Sequence, residues 1–430
     1  MPTGSRNLPA IIIPGTESAT SEVNSYEKLH RAVCRLQAEF VRLGVGNHGR
    51  LALALPNGID FVVCFLAGVA QGAIVAPIHP ASPHPEAHTL LQRIKPTLLV
   101  ASSRAPAVKA ANDLNLASAT CVWNVKSRDI QLTVVNPPAI RPKSSCGVSP
   151  EDGALLLFTS GATGTPKCTI LTHRNLLVAV QIMVRAQCLT ATDRCAVVTP
   201  LFHVGGIGIA LLSTLMSGVT WYHAVPTLHR LLLSFPRSSD LGCLRFISCG
   251  GSALAEDTLR RLESELGRPV LERYGMTETG PGIFCNSVKL PRRSSCYPVS
   301  PEVTIRILTP SGSDGSMLLT HATGVTGEVC IQGASVMSGY VDNDAANAHS
   351  FVDGFFRTGD IGRLDLDGYL CLVGRIKEII NKGGEKIDLT EVEHLLLSHE
   401  SIRDVACFRV ADESYGEDVG PYTTSALCGL

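Results

Sequence analysis

A chain of 430 residues, 45% hydrophobic and 17% charged, is long enough for a large core and for more than one domain. Its formal net charge of -1 and its 5% aromatic content provide neither the field to hold a polyanion nor a surface for stacking bases, which argues against a nucleic-acid partner. The 15 cysteines are scattered singly, as at Cys34, Cys64, Cys121, Cys168 and Cys249, with no Cys-x-x-Cys pair; the pattern reads as reduced thiols in an intracellular protein.

Taken in order, residues 1–24 read as polar and loosely ordered, with no secretory signal, since the run Ile11-Ile12-Ile13 is short and stopped by a proline. From Ser25 the spacing predicts an amphipathic helix with Leu29, Val33, Leu36 and Phe40 on one stripe and Gly44 as its stop. A strand over 51–55, a Pro56-Asn57-Gly58 turn, a buried helix over 61–70 and strands over 73–75 and 97–101 follow. The breaks at Pro56, Asn57 and Asp60 make this apolar region core rather than a membrane span. Strand–helix alternation predicts a mostly parallel α/β sheet. Residues 126–150 read as a polar linker.

The stretch Thr159-Ser160-Gly161-Ala162-Thr163-Gly164-Thr165-Pro166-Lys167 lies between two apolar runs. Glycines let a backbone approach an anion and point N–H groups at it, hydroxyls add donors, and a lysine adds a mobile positive charge. By composition this is a phosphate clamp; a glycine-rich hairpin turn is the alternative. It is not the common P-loop, because Pro166 precedes the lysine and Cys168 follows it. Thr172 is a candidate N-cap for a helix to about Gln187. After a strand over 196–199, Pro200-Leu201-Phe202-His203-Val204-Gly205-Gly206 puts a histidine at a strand's carboxyl end, where α/β sheets hold ligands. Gly250 and Gly251 follow another strand, and a helix over 256–266 ends at Gly267. In Tyr274-Gly275-Met276-Thr277-Glu278-Thr279 an aromatic ring can stack on a purine, Thr277 can donate to a phosphate oxygen, and Glu278 offers a hard oxygen to magnesium. Strands over 303–308 and 327–332 suggest a small β subdomain. Phe356-Arg357-Thr358-Gly359-Asp360, a hairpin turn at 365–370, Gly374-Arg375-Ile376-Lys377 and Asn381-Lys382-Gly383-Gly384-Glu385-Lys386-Ile387 complete the series, and Thr390 to Glu393 reads as a capping box opening a helix.

These motifs, in this order from about Tyr26 to Asp418, resemble the adenylate-forming superfamily, in its AMP-dependent acyl-CoA synthetase branch. The resemblance implies the fold. Residues 1–376 would form a large N-terminal adenylation domain, two α/β subdomains plus a small β-barrel-like one. Residues 377–430 would be an incomplete small α+β C-terminal domain. It also implies the activity: a carboxylic acid becomes an acyl-adenylate at the expense of ATP and is then transferred to coenzyme A. Thr159, Ser160, Gly161, Thr163, Gly164 and Lys167 would hold phosphates. His203 would lie between the acyl pocket and those phosphates. Gly250 and Gly251 would line the acyl and adenine pockets, Tyr274 and Thr277 would contact the nucleotide, and Glu278 would carry Mg2+. Asp360 and Arg375 would hold the ribose, Lys377 would be the interdomain hinge, and Gly383 and Gly384 would line the coenzyme A channel. The catalytic set is then Lys167, His203, Thr277 and Glu278. The implied partners are a small-molecule carboxylic acid, ATP and coenzyme A, and the expected location is cytoplasmic or peroxisomal, although Cys428-Gly429-Leu430 is not the peroxisomal Ser-Lys-Leu address.

The chain departs from that pattern in two places. Arg292-Arg293-Ser294-Ser295-Cys296-Tyr297-Pro298 replaces a glycine-containing turn, which is expected to reshape the acyl pocket. Relatives also carry a late lysine that bridges the acyl carboxylate and the α-phosphate, whereas no lysine follows Lys386 here. The alternative expectation is therefore a catalytically impaired nucleotide- or acyl-binding relative, or a truncated gene model.

Overall fold

The computed structural model describes residues 7–13, 21–138, 147–159, 166–190, 193–213, 220–233, 244–290, 294–311, 316–383, 385–397, 399 and 401–425. The chain divides into two compact units. The first comprises Met1–Gln181, Thr190–Val219 and Met337–Asn343; the second comprises Ile182–Leu189, Thr220–Val336 and Asp344–Leu430.

The first unit is built on a seven-stranded sheet. Its order is Asp129–Asn136, Ser118–Asn124, Leu98–Ala101, Arg50–Ala54, Ile74–Pro77, Gly153–Thr159, Lys167–Thr172. The five central strands are parallel, and both outer strands turn back antiparallel. Strands covered on both faces read as unbroken apolar runs, and Leu51 to Ala54 and Leu98 to Ala101 are fully buried. The helix Tyr26–Arg42 is capped by Ser25, whose hydroxyl accepts from Lys28 N–H, and it buries Leu29, Ala32, Leu36 and Phe40. Gly44, with φ of +83°, takes the left-handed turn past its end. Against the sheet, the helix Ile59–Ala70 comes so close that a Cβ on Gly68 would lie 2.7 Å from Leu51.

Two sequence expectations need correcting here. Residues 1–24 are not uniformly loose, since Pro9–Ile13 pairs antiparallel with Glu22–Ser25. The polar stretch 126–150 is not simply a linker, because Asp129–Asn136 forms the antiparallel outer strand. Its inner face buries Ile130 while Val134 and Val135 are exposed, and that shallow alternation hid it.

The second unit contains three sheets. In one, the strands Thr220–Ala224, Phe246–Cys249 and Val270–Met276 run parallel, and Gly280–Cys285 returns antiparallel to the last. The helix Glu256–Leu266 buries Leu262 and stops at Gly267 in the left-handed region. Another sheet is antiparallel, in the order Cys296–Pro298, Tyr369–Arg375, Phe355–Leu364, Gly327–Gly333, Val303–Ser311, Ser316–Thr320, with Phe351–Val352 added to Phe355–Leu364. The last, in the order Glu385–Asp388, Ile379–Lys382, Gly416–Ser425, Ile402–Asp412, is joined by the helix Leu389–Leu397 to give a small α+β layer. That helix begins at Leu389, so Thr390 lies inside its first turn. Glu393 accepts instead from the Cys407 N–H at 2.7 Å.

The cysteine reading is also corrected. Cys296 and Cys371 face each other across adjacent antiparallel strands, with Cα atoms 4.1 Å apart, and form a disulfide. A separation of 75 residues concealed a pairing that strand register creates. Among the described residues, no helix is long and apolar enough to cross a membrane.

Candidate active site

The first unit supplies the strands that flank the candidate phosphate loop. The strands Gly153–Thr159 and Lys167–Thr172 are hydrogen-bonded neighbours, and Thr159 faces Lys167 across the ladder. The hairpin alternative is seen in the antiparallel pairing of these two flanking strands. Ser160, Gly161, Thr163 and Gly164 lie outside the described residues. Both ends of the loop are held by Arg93. Its guanidinium lies 5.1 Å from the Phe158 ring centroid and donates through Nη1 to the Pro166 carbonyl at 2.6 Å. The Lys167 ammonium rests 4.5 Å from the centroid of the Tyr340 ring, a cation–π contact. Tyr340 is placed by main-chain pairing with Thr169 and by the Val341 N–H donating to the Cys168 carbonyl at 2.8 Å.

His203 is placed by a turn that Asn57 fixes from a distance in sequence. The Asn57 side chain donates to the Thr199 carbonyl (2.9 Å) and accepts from the Leu201 N–H (2.8 Å). The chain then enters the π-helical segment Gly205–Leu212, where a Cβ on Gly206 would lie 2.1 Å from the Pro200 carbonyl oxygen. Only glycine permits that approach. The His203 ring packs 4.5 Å from Phe202, which in turn meets His79 at 4.6 Å. Loss of hydration, and then the neighbouring His79, lowers the His203 pKa, so its imidazole is neutral at physiological pH.

The second unit contains a cavity of about 720 Å³. Gly251, Tyr274, Met276, Asp360 and Arg375 line one side of it, and Glu378 and Glu391 help close another. Asp360, in its wall, is 5% exposed. One carboxylate oxygen accepts from the Tyr274 hydroxyl at 2.6 Å and the other from Arg375 Nε at 2.5 Å. The pairing is dictated by the sheet, where Asp360 and Arg375 stand opposite each other on adjacent strands. Burial, reinforced by the Asp360 charge, pushes the Tyr274 phenol well above its ordinary pKa, so it remains a donor. For Arg375 desolvation works against the charge, but Asp360 outweighs it and the pKa is raised. The Tyr274 ring stacks on Phe284 at 5.6 Å and tilts against Tyr297 at 6.1 Å.

A Cβ on Gly250 would lie 2.6 Å from Arg273 Cγ, and Gly251, in the cavity wall, has φ of +95°. Thr277 and Glu278 fall in the 3₁₀ turn Thr277–Thr279, with Glu278 buried. Lys377 is exposed between the strands Tyr369–Arg375 and Ile379–Lys382. Gly383, with φ of +61°, donates through N–H to the Tyr415 carbonyl at 3.0 Å, and Gly384 lies outside the described residues. Asn57, Arg93 and Glu328 escaped the sequence reading as site-forming residues. Asn57 had a visible signal, an asparagine before an apolar helix, but its partner lies more than 140 residues away.

The sequence matches the family described as AMP-binding enzyme over residues 6–222 and 217–341. The chain belongs to that family. An acyl-CoA synthetase of Gibberella moniliformis is 41% identical over 96% of this chain and 86% of its own length. An oxalate–CoA ligase of Arabidopsis thaliana is 36% identical over 92% of this chain and 81% of its own length. Among solved structures, ATP-bound MatB from Rhodopseudomonas palustris superposes with a TM-score of 0.82 at 25% identity, covering 96% of this chain and 86% of that one. An anthranilate–CoA ligase bound to anthranoyl-AMP gives a TM-score of 0.84 at 18% identity over the whole of this chain and 86% of that one, a likeness of fold. This AMP-binding enzyme therefore stands with the enzymes that ligate an acid to coenzyme A through an acyl-adenylate, using ATP and coenzyme A.

Proposed function

We propose that this AMP-binding enzyme binds the ribose of ATP through Asp360 and Arg375 and the phosphates through Thr159, Lys167 and the loop between them. The observation that carries the reading is the Asp360 carboxylate, buried at a cavity wall with one donor on each oxygen. Each carboxylate oxygen has two lone pairs, so each can still accept a ribose hydroxyl.

In the first half-reaction, a carboxylate oxygen of the acid bonds to the α-phosphorus and pyrophosphate departs with the bridging electron pair. In the second, the coenzyme A thiol gives its proton to water, its sulfur bonds to the acyl carbon, and AMP leaves with the electron pair of the broken C–O bond. Little covalent chemistry falls to the protein, so positioning and charge neutralisation do the catalytic work. Lys167 moves from the Tyr340 ring to the developing phosphate charge, and neutral His203 serves as an uncharged hydrogen-bonding partner beside it. Thr277 donates to a phosphate oxygen. Glu278 supplies a hard oxygen for Mg2+, which neutralises phosphate charge when bound. Among the described residues no group of three or more His, Cys, Asp or Glu side chains is placed to hold a metal ion. Residues 377–430 act as the small C-terminal domain, with Lys377 as its hinge and Gly383 and Gly384 along the path of the coenzyme A arm.

The test is acid-dependent ATP–pyrophosphate exchange over a panel of acids that includes oxalate, with Glu278→Ala as control. Exchange that requires an acid and falls by orders of magnitude in the variant is expected. Exchange with no acid in the panel, or exchange indifferent to the substitution, is the contrary result.

A further inference from the structure

The strand that carries Asp360 does not pair regularly with its neighbour. Glu328 faces Ile361 and Cys330 faces Arg357, so Val329 alone stands opposite Thr358, Gly359 and Asp360. Such a bulge takes backbone groups out of the ladder, and each of them needs another partner. The partners are specific. Gly359, with φ of +75°, donates its N–H to Glu328 Oε1 at 3.1 Å and receives the Ile376 N–H on its carbonyl at 2.9 Å. The Asp360 N–H donates to Thr358 Oγ1 at 3.0 Å, and that hydroxyl donates to the Val329 carbonyl at 2.8 Å. The second oxygen of Glu328 accepts from Arg357 Nε and Nη2 at 2.9 and 2.7 Å. Glu328 is 8% exposed, so a carboxylate is kept in the interior with both oxygens occupied by donors.

We propose that Glu328 is a positioning residue for nucleotide binding: with Thr358 it locks the bulge that presents Asp360 to the ribose hydroxyls, and Arg357 holds Glu328 in place. The inference rests on the reading of Asp360 as the ribose acceptor. A glutamine cannot substitute, because its single oxygen can meet either the Gly359 N–H or the Arg357 guanidinium while its amide hydrogens oppose the other. The bulge then relaxes, and the carboxylate whose aim depends on it moves.

The experiment measures binding of ATP and of 2′,3′-dideoxy-ATP to the full chain by calorimetry. Loss of hydrogen bonds to a charged acceptor predicts that the native chain favours ATP by roughly ten- to hundred-fold, and that Asp360→Asn removes most of that preference. Glu328→Gln is expected to collapse the preference toward unity and to add nothing in the Asp360→Asn background, as for two residues acting in series. A Glu328→Gln protein that unfolds at lower temperature but keeps the preference would show a purely structural role and overturn the proposal. Should that variant not fold, the near-isosteric Thr358→Val removes the hydroxyl that carries the Asp360 N–H. Loss of preference there supports the proposal and its retention overturns it. A native chain that binds both nucleotides equally would instead overturn the reading of Asp360 itself.

Discussion

At the scale of single residues, burial sets which groups can carry charge. Glu272 sits on the strand Val270–Met276 and is 4% exposed. Burial, opposed by a hydrogen bond from the Ser295 backbone and aided by the charge of Glu263, pushes its pKa from 4.5 up to about 7. A carboxyl raised in the folded state binds a proton that the unfolded chain has already released. The resulting stabilisation is complete below pH 4.5 and is lost as pH rises through about 7. A shift of that size corresponds to about 3 kcal/mol. Comparing the thermal unfolding of the native chain and Glu272→Gln from pH 4.5 to 8 checks it: the native chain should lose stability relative to the variant across that window. Parallel curves for the two would show that Glu272 does not titrate there. Tyr274 shifts in the same direction, and its raised pKa keeps the hydroxyl protonated and so suits it to hold Asp360.

At the scale of elements, the departure at residues 292–298 has a physical consequence. Ser295 adopts φ of +54°, a left-handed conformation that glycine takes without steric cost. The next residue, Cys296, is tied to Cys371, so the strand cannot shift to relieve it. Ser295→Gly should therefore stabilise the chain, by about 1 kcal/mol after the entropy that glycine adds to the unfolded state is subtracted. A fall in unfolding temperature would contradict that account. A second element-level prediction concerns Arg93, which ties Phe158 to Pro166 at the two ends of the candidate phosphate loop. Arg93→Ala should lower kcat/KM for ATP by about tenfold, the equivalent of one charge-assisted hydrogen bond. An unchanged KM for ATP would show that the loop keeps its shape without that brace. These two cases also mark what the sequence could tell. Asp360, Arg375 and Lys167 were singled out because each stands in a short contiguous motif. So were the helices at 26–42 and 256–266, whose caps and apolar spacing are local. Arg93, Asn57 and Glu328 were not, because each bonds to backbone groups far along the chain that only the fold brings near. The Cys296–Cys371 bond was hidden for the same reason.

At the scale of the whole molecule, the two half-reactions place conflicting demands on one chain. Adenylation needs the α-phosphate presented to a carboxylate, whereas thioester formation needs the same acyl group presented to a thiol. One chain can meet both demands by moving a segment once between them, and a few residues that absorb the backbone rotation suffice. Lys377 is exposed and is bracketed by backbone contacts. The Ile376 N–H donates to the Gly359 carbonyl at 2.9 Å, and the Glu378 N–H donates to the Arg375 carbonyl at 3.0 Å. The first of these contacts reaches the bulge that holds Asp360, so rotation at residue 377 is felt beside the Asp360 carboxylate. Proline at this position fixes φ near -65° and restricts Ile376 as well. Lys377→Pro should therefore separate the two steps: acid-dependent ATP–pyrophosphate exchange should stay within about twofold of the native rate, while acyl-CoA formation should fall by at least about tenfold. Loss of both activities together would mean that residue 377 serves the nucleotide site directly, and loss of neither would place the rotation elsewhere in the chain.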